Sequence, residues 1–116
     1  MSLKSAVYGL FFALKTEINM KLLLICTFVV FALALFFQVS SSELLIILVT
    51  VMLVFLAEMV NSSIEAVCDL VTQEWRENVK IAKDIAAGSV LVASFFAFLI
   101  GLVIFLPKVV IFLKLV

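Results

Sequence analysis

The sequence predicts an all-α membrane protein in which one N-terminal amphipathic surface helix precedes three transmembrane helices. Of its 116 residues, 67% are hydrophobic and 14% are charged, a balance far outside the range of soluble domains. Three long apolar runs have the length that membrane-spanning helices need. The formal net charge is zero, so no basic excess points to a nucleic-acid partner. There is no histidine, and the two cysteines lack metal-ligand spacing, which leaves too few ligands for a zinc site.

The first predicted element, residues 2–16, is a helix that lies on the membrane surface. Five apolar residues recur in it at helical spacing: Leu3, Val7, Leu10, Phe11 and Leu14. Lys4 and Lys15 flank this apolar face, and helices with such a pattern lie in the plane of the membrane interface.

The three apolar runs are predicted to form transmembrane helices over residues 21–38, 44–70 and 84–106. The first two are joined by a polar turn at 38–43, which makes them a tight hairpin. The third is continuous for 22 residues before Pro107, enough to cross a hydrocarbon core of about 30 Å. Because lipid cannot satisfy backbone hydrogen bonds, each run must be helical.

Basic residues predict the orientation of these spans in the membrane. Six of them lie before the first span or between the second and the third: Lys4, Lys15, Lys21, Arg76, Lys80 and Lys83. The positive-inside rule therefore places the N-terminus and residues 61–84 on the cytoplasmic side. Lys108 and Lys114 would then lie outside, against the majority.

A stripe of small residues on the third span predicts a helix contact. Ala93, Ala97 and Gly101 repeat at four-residue spacing, which allows another helix to approach closely. Since three spans have little interior of their own, an oligomer that shares helix faces, such as a homotrimer, is the hypothesis.

A row of polar residues continues the second span. Glu58, Asn61, Glu65 and Asp69 are spaced by three, four and four residues, so they share one helix face. Glu58 lies about 21 Å along the helix from Leu44, near the inner boundary of the hydrocarbon core. A carboxylate placed deeper would cost about 2.5 to 3.5 kcal/mol, so one retained there usually faces protein or water and often has a function.

Two interpretations of the acidic row remain open from spacing alone. The acids can form a solvated helix end paired with Lys80 and Lys83, or they can hold a divalent cation such as Mg²⁺ that carries a nucleotide phosphate. In the second case Glu17 can add a carboxylate, and Lys83 can contact phosphate oxygens. Asp84 fits equally well as the N-cap of the third span. No glycine-rich phosphate loop is present, so an ATP site must be built from side chains.

These residues resemble the prokaryotic diacylglycerol kinase family. The resemblance lies in EMVNSSIEAVCDLV (58–71), KIAKDIAAGSVL (80–91) and GLFFALKTEIN (9–19), in the family's order and with the same arrangement of one surface helix and three spans. It extends over nearly the whole chain, which is therefore interpreted as a single integral membrane lipid kinase domain, residues 1–116.

The resemblance implies the catalytic roles. Glu58 corresponds to the glutamate taken as general base, which draws the proton from the primary hydroxyl of the lipid. Asn61 corresponds to the family's active-site asparagine, and Lys83 to the lysine that contacts phosphate.

The resemblance also implies which residues bind the metal and the nucleotide, and how the subunits assemble. Glu17 and Glu65 correspond to the carboxylates that hold the Mg²⁺ bridging the phosphates of ATP, and Asp69 and Asp84 to the acids that help bind the nucleotide. The family is a homotrimer of the bacterial cytoplasmic membrane, with active sites shared between neighbouring subunits.

Two questions stay open at this point. The lipid can be diacylglycerol or undecaprenol, and KIAKDIAAG together with FLPK after the third span is closer to the branch that includes undecaprenol kinases. The alternative function is a small non-enzymatic membrane bundle whose acidic row binds or conducts an ion.

Overall fold

The computed structural model describes residues 2–116, which form four α-helices and no strand. The helices are α1 (Leu3–Thr16), α2 (Ile18–Phe36), α3 (Ser41–Val71) and α4 (Glu77–Leu115). The last three are long and apolar enough to cross a membrane. The predicted fold class, an N-terminal helix followed by three potential spans, is confirmed.

A single residue separates α1 from α2. Glu17 has an extended backbone, with φ −104° and ψ 126°, and it follows the last residue of α1 and precedes the first of α2. No residue of α1 is buried within the chain. The chain therefore changes direction at Glu17, which brings this carboxylate to a corner between two helices.

The turn between α2 and α3 is built from two capping motifs. Gln38 has a positive φ of 51°, and the Val39 N–H donates to the Ala34 carbonyl at 3.1 Å, which together close α2 in a Schellman motif. The Ser40 hydroxyl then accepts from the Glu43 N–H, while the Glu43 carboxylate accepts from the Ser40 N–H, a reciprocal capping box. The end of the molecule at residues 37–40 is called the turn end below.

Helices α3 and α4 are joined by residues 72–76 and pack against each other as antiparallel neighbours. The end of the molecule at this connection is called the connection end. At about 1.5 Å per residue, the 39 residues of α4 span about 58 Å, and the longest dimension of the molecule is 58 Å. Helix α4 thus extends along the whole molecule.

Helix α4 is longer than the apolar segment 84–106 at both ends. It begins at Glu77 and continues through Pro107 to Leu115. A proline removes one backbone hydrogen bond, but the residues on either side can keep theirs, and prolines are tolerated in membrane helices for this reason. Pro107 therefore does not end the helix.

The hydrophobic core lies near the turn end. Ala34, Ile47 and Ile104 are buried against one another, one from each long helix. Beside them the Lys108 ammonium donates to the second carboxylate oxygen of Glu43 at 2.8 Å. This ion pair joins the first turn of α3 to the part of α4 beyond Pro107.

Most large apolar side chains face away from the chain's own interior. Leu35, Leu91 and Val103, for example, are 81%, 71% and 74% exposed. A helix that is apolar on all sides and exposed on most of them suits an environment of lipid or of other helices.

Candidate active site

The polar row on α3 runs from the interior of the molecule to its surface. Glu58 and Asn61 are 6% and 7% exposed, and they are the only buried polar side chains in residues 2–116. Glu65 and Asp69, one and two turns further along, are exposed. The four side chains thus share one face of α3, and their burial decreases from Glu58 to Asp69, toward the connection end.

Glu17 comes to this row from a distant part of the sequence. The Ser62 hydroxyl donates to Oε2 of Glu17, a contact between residues 45 positions apart. The carboxylates of Glu17 and Glu65 also lie close enough to Glu58 to interact with its charge. The fold therefore brings the Glu17 carboxylate, at the α1–α2 corner, toward the carboxylates of Glu58 and Glu65 on α3.

Asn61 uses only one of its two polar groups. Its Nδ2 donates to Oε1 of Glu65 at 3.2 Å. Its Oδ1 is buried and has no hydrogen-bond partner among the described residues. An unpaired buried acceptor costs about 1 to 3 kcal/mol of stability. A donor that reaches this oxygen, such as a ligand hydroxyl or a metal-bound water, would therefore bind favourably.

Lys83 and Asp84 lie beside the connection end, and each belongs to an ion pair. The Lys83 ammonium donates to Asp69 at 2.8 Å, and Lys80 donates to Asp84 at 2.6 Å. For Asp69, the structure therefore contains the pairing expected of a solvated helix end. The same pair brings Lys83 to the outer end of the polar row.

The interpretation of Asp84 as an N-cap is wrong. Helix α4 begins seven residues earlier, at Glu77, and its N-cap is Arg76, which makes no side-chain capping bond. The sequence 77–83 has no proline or glycine to prevent a helix, so the last polar turns before the apolar span are helical as well.

A polar cleft of about 520 Å³ lies at the connection end. Seven of its lining residues are charged or aromatic: Asp69, Glu74, Trp75, Arg76, Lys80, Lys83 and Asp84. It brings together the two acids and the lysine for which the resemblance implies nucleotide contacts. It also adds Trp75 and Arg76, which belong to none of the predicted site residues.

A second cleft, of about 450 Å³ and almost wholly apolar, lies between α2, α3 and α4. Ala97 and Gly101 of the small-residue stripe line it, whereas Ala93 does not. Val54 also lines it, one helical turn before Glu58 on α3. The buried carboxylate thus lies one turn from a space that suits hydrocarbon.

The donor set of the site fits a metal that arrives with phosphate. Within residues 2–116 no three acidic, cysteine or histidine side chains are arranged to hold a metal by themselves. Mg²⁺ commonly takes one or two protein carboxylates and completes its shell with phosphate oxygens and water. Glu17 and Glu65, which both approach Glu58, can supply such a pair.

Ser62 is the residue of the site that sequence reasoning missed. Its hydroxyl joins Glu17 to α3, but a serine after Asn61 has the ordinary appearance of a small residue on a membrane helix. The only available signal was its position within the motif 58–71, between two residues with predicted roles.

Fold and site together define a helical membrane protein with a buried carboxylate beside two further carboxylates, next to an apolar cleft and near a lysine. Residues 4–105 match the sequence pattern of the prokaryotic diacylglycerol kinase family, and the chain belongs to that family. The resemblance inferred from the motifs is confirmed.

Two curated relatives are similar to this chain. The chain is 40% identical over 85 residues to the undecaprenol kinase of Bacillus subtilis (strain 168), which covers 73% of this chain and 63% of the relative. It is 32% identical over 108 residues to the diacylglycerol kinase of Synechocystis sp. (strain ATCC 27184 / PCC 6803 / Kazusa), which covers 92% of this chain and 62% of the relative. The matched segments thus span less than two thirds of each relative.

Proposed function

We propose that this protein is an ATP-dependent lipid kinase that phosphorylates the primary hydroxyl of a membrane lipid. The observation that carries the proposal is the burial of Glu58, 6% exposed, beside two other carboxylates and one turn from an apolar cleft. A buried acid is expensive unless it has a partner or a task, and a lipid hydroxyl that enters from the apolar side would meet it. Membership of the family supports the same reaction.

The side chains divide the reaction as follows. Glu58 accepts the proton of the lipid hydroxyl while the hydroxyl oxygen forms a bond to the γ-phosphorus of ATP. The bond between the γ-phosphorus and the β,γ-bridging oxygen breaks, which releases ADP. Oδ1 of Asn61, which has no partner among residues 2–116, accepts a hydrogen bond at the reacting end of the site. Lys83 exchanges its contact with Asp69 for phosphate oxygens and neutralises their charge.

Glu17 and Glu65 are the residues proposed to hold Mg²⁺, which would supply charge neutralisation at the ATP phosphates. Asp69 and Asp84 are proposed to bind the nucleotide from the polar cleft that they line with Lys83. In this arrangement the nucleotide approaches from the connection end and the lipid from the apolar cleft.

We propose undecaprenol as the preferred substrate and diacylglycerol as the alternative. The higher identity, 40% against 32%, is with the relative named undecaprenol kinase. Both lipids present a primary hydroxyl, so the catalytic groups do not distinguish them. Initial rates of the purified protein on each lipid in mixed micelles, at equal mole fraction, test the choice, and a clear preference for diacylglycerol would reverse it.

The proposed setting is the bacterial cytoplasmic membrane, with the N-terminus and the active site on the cytoplasmic side and the protein assembled as a homotrimer. The distribution of basic residues supports this orientation. The large outward-facing apolar surface of the single chain supports an assembly that covers part of it. A protein with Cys26→Ser, Cys68→Ser and Gln73→Cys has a single thiol, at the connection end. We expect an impermeant thiol reagent to label it in lysed cells and not in intact cells, and labelling in intact cells would reverse the orientation.

The first prediction concerns Glu58. Replacement Glu58→Gln keeps the shape of the side chain but removes the base, and we expect turnover to fall by about 10²- to 10⁴-fold. Transfer of labelled phosphate from ATP to lipid in mixed micelles measures it. Glu77→Gln, at the exposed start of α4, is the matched control and should retain wild-type turnover. Near-normal turnover of Glu58→Gln would show that this carboxylate is not the base.

The rival function is a non-enzymatic bundle that binds an ion at the acidic row. It requires neither ATP nor Lys83. A rise in the unfolding temperature on addition of Mg-ATP, lost in Lys83→Met, supports the kinase, whereas a response to Mg²⁺ alone that is unchanged by Mg-ATP favours the bundle.

A further inference from the structure

The Ser62 hydroxyl contacts two different parts of the chain. Its oxygen lies at hydrogen-bonding distance from Oε2 of Glu17 and at 3.0 Å from the carbonyl oxygen of Glu58. A hydroxyl has one proton, and a bond to a carboxylate is stronger than a bond to a neutral carbonyl. The proton therefore goes to Glu17, while the proximity of the Glu58 carbonyl restricts rotation of the serine side chain.

Glu17 depends on this contact for its orientation. It is the single residue between α1 and α2, and α1 buries no side chain within the chain. Among residues 2–116, no other side chain forms a hydrogen bond with the Glu17 carboxylate. Ser62 is thus the one described side chain that joins the Glu17 carboxylate to α3 by a hydrogen bond.

A neutral donor suits this position better than a cation would. The carboxylates of Glu17 and Glu65 both lie near Glu58, so the Glu58 charge repels each of them unless something holds it. A lysine here would neutralise Glu17 and compete with a metal ion. A serine hydroxyl engages only Oε2, which leaves Oε1 of Glu17 free and the charge of the site unchanged.

We propose that Ser62 is a positioning residue that holds Glu17 in the orientation in which its free oxygen can take a divalent cation together with Glu65. The inference rests on the proposed function, since it assigns to Ser62 a part in binding the metal-nucleotide substrate. Ser62 itself touches neither the lipid nor the phosphates, and it acts through Glu17.

The next serine provides a matched control. Ser63 is exposed, and its hydroxyl donates only to the carbonyl of Met59, four residues back, at 3.0 Å. The Ser62 oxygen lies at the same distance, 3.0 Å, from the carbonyl oxygen of Glu58 four residues back, so the two residues differ in the contact to Glu17. A role that consisted only of the bond within the helix would make the two alanine variants alike.

The experiment compares Ser62→Ala, Ser62→Thr and Ser63→Ala with the wild type in detergent micelles. Electron paramagnetic resonance measures the binding of Mn²⁺ in the presence of a non-hydrolysable ATP analogue, and thermal unfolding checks the fold. We expect Ser62→Ala to weaken Mn²⁺ binding by about 10-fold or more, as loss of a residue that orients a metal ligand does. Ser62→Thr keeps the hydroxyl and should restore binding, and Ser63→Ala should bind as the wild type does.

Kinetics separates the positioning role from a general loss of structure. For Ser62→Ala we expect the KM for Mg-ATP to rise by about the same factor as the Mn²⁺ dissociation constant, with a smaller change in kcat and in the KM for lipid. Unchanged Mn²⁺ binding by Ser62→Ala at an unchanged unfolding temperature, or an equal loss in Ser63→Ala, would overturn the inference. If the wild type does not phosphorylate lipid at all, the proposed function fails, which is a result distinct from either of these.

Discussion

Asn61 shows how one side chain can serve both the packing and the chemistry of a membrane helix. It is buried, it donates to Glu65 through Nδ2, and its Oδ1 has no partner in the described part of the chain. In a chain with so few buried residues, a buried amide that is only half satisfied lowers the stability of the free protein. That cost is recovered when a ligand donates to Oδ1, so the ligand-bound protein should be more stable than the free one.

A second prediction follows for Asn61. The change Asn61→Asp is nearly isosteric, but it replaces the donor to Glu65 by another negative charge close to Glu58. We expect a loss of at least 10-fold in turnover and of about 1 to 3 kcal/mol in the free energy of unfolding. Activity and denaturation in detergent measure the two effects. Asn78→Asp, exposed in the first turn of α4, is the control, and a matching loss there would point to a general effect of added charge.

Residue spacing was enough to predict the common face of the polar row, because a helix returns to the same face every three to four residues. It could not reveal the contact of Glu17 with Ser62, since no local periodicity relates residues 45 positions apart. The partner of Lys83 was equally undetermined. Asp69 on the preceding helix and Asp84 next to it were both available, and the packing of α3 on α4 decides for Asp69.

At the level of helices, the apolar cores of the three long elements could be predicted, but their ends could not. Lipid requires a helix wherever the chain is apolar, whereas beyond the apolar segment the sequence leaves helix and loop as alternatives. Helix α4 illustrates this at both ends. It takes in the charged residues 77–83 before the apolar span and continues past Pro107 through another eight residues.

The ion pair between Glu43 and Lys108 gives this extension of α4 a structural purpose. Glu43 accepts from the Ser40 N–H with one oxygen and from Lys108 with the other, so the same carboxylate caps α3 and holds α4. Phe36 and Phe37 pack against Phe112 on the same extension, with ring centroids 5.5 and 6.2 Å away. The turn end is therefore held by both polar and aromatic contacts.

A third prediction tests this pair. The change Lys108→Met keeps the apolar part of the side chain and removes the ammonium, and we expect the unfolding temperature to fall by roughly a few degrees because Glu43 loses its partner. Turnover should stay near that of the wild type, since the site lies toward the other end of α3. Lys114→Met, in the exposed last turn of α4, is the control and should leave the unfolding temperature unchanged. Equal effects of the two substitutions would contradict a specific role for the pair.

For the whole molecule, the interior of one chain is small compared with its apolar surface. Seven apolar side chains among residues 2–116 are buried, and most of the remaining large ones are exposed. The small-residue stripe was predicted to be a contact, and two of its three members line the cleft between α2, α3 and α4. A side-chain carbon added at Gly101 would meet no atom within 4 Å, so the single chain does not need glycine there.

The fourth prediction follows from that free space. The proposed homotrimer would bring a neighbouring helix onto the small-residue stripe at Gly101, while the lipid enters the cleft beside Val54, so the change Gly101→Leu should shift the assembly toward monomers while each chain remains folded. Native mass spectrometry in detergent gives the oligomeric state, and circular dichroism gives the helix content. Val103→Leu, on the outward face at a position 74% exposed, should leave the assembly unchanged. A Gly101→Leu protein with the same oligomeric state as the wild type would exclude the small-residue stripe as the contact.

The pairing of Glu43 with Lys108 also reduces the net charge on which the membrane potential acts at the turn end. In the orientation expected from the basic residues, the turn end faces outward, and a potential that is negative inside opposes each positive charge held there by about 2.3 kcal/mol per 100 mV. Lys108 and Lys114 alone would carry two such charges. Because the Glu43 carboxylate is paired with Lys108, the side chains of Glu43, Lys108 and Lys114 together carry one net positive charge. The membrane potential therefore opposes their placement outside half as strongly as it would oppose the two lysines alone.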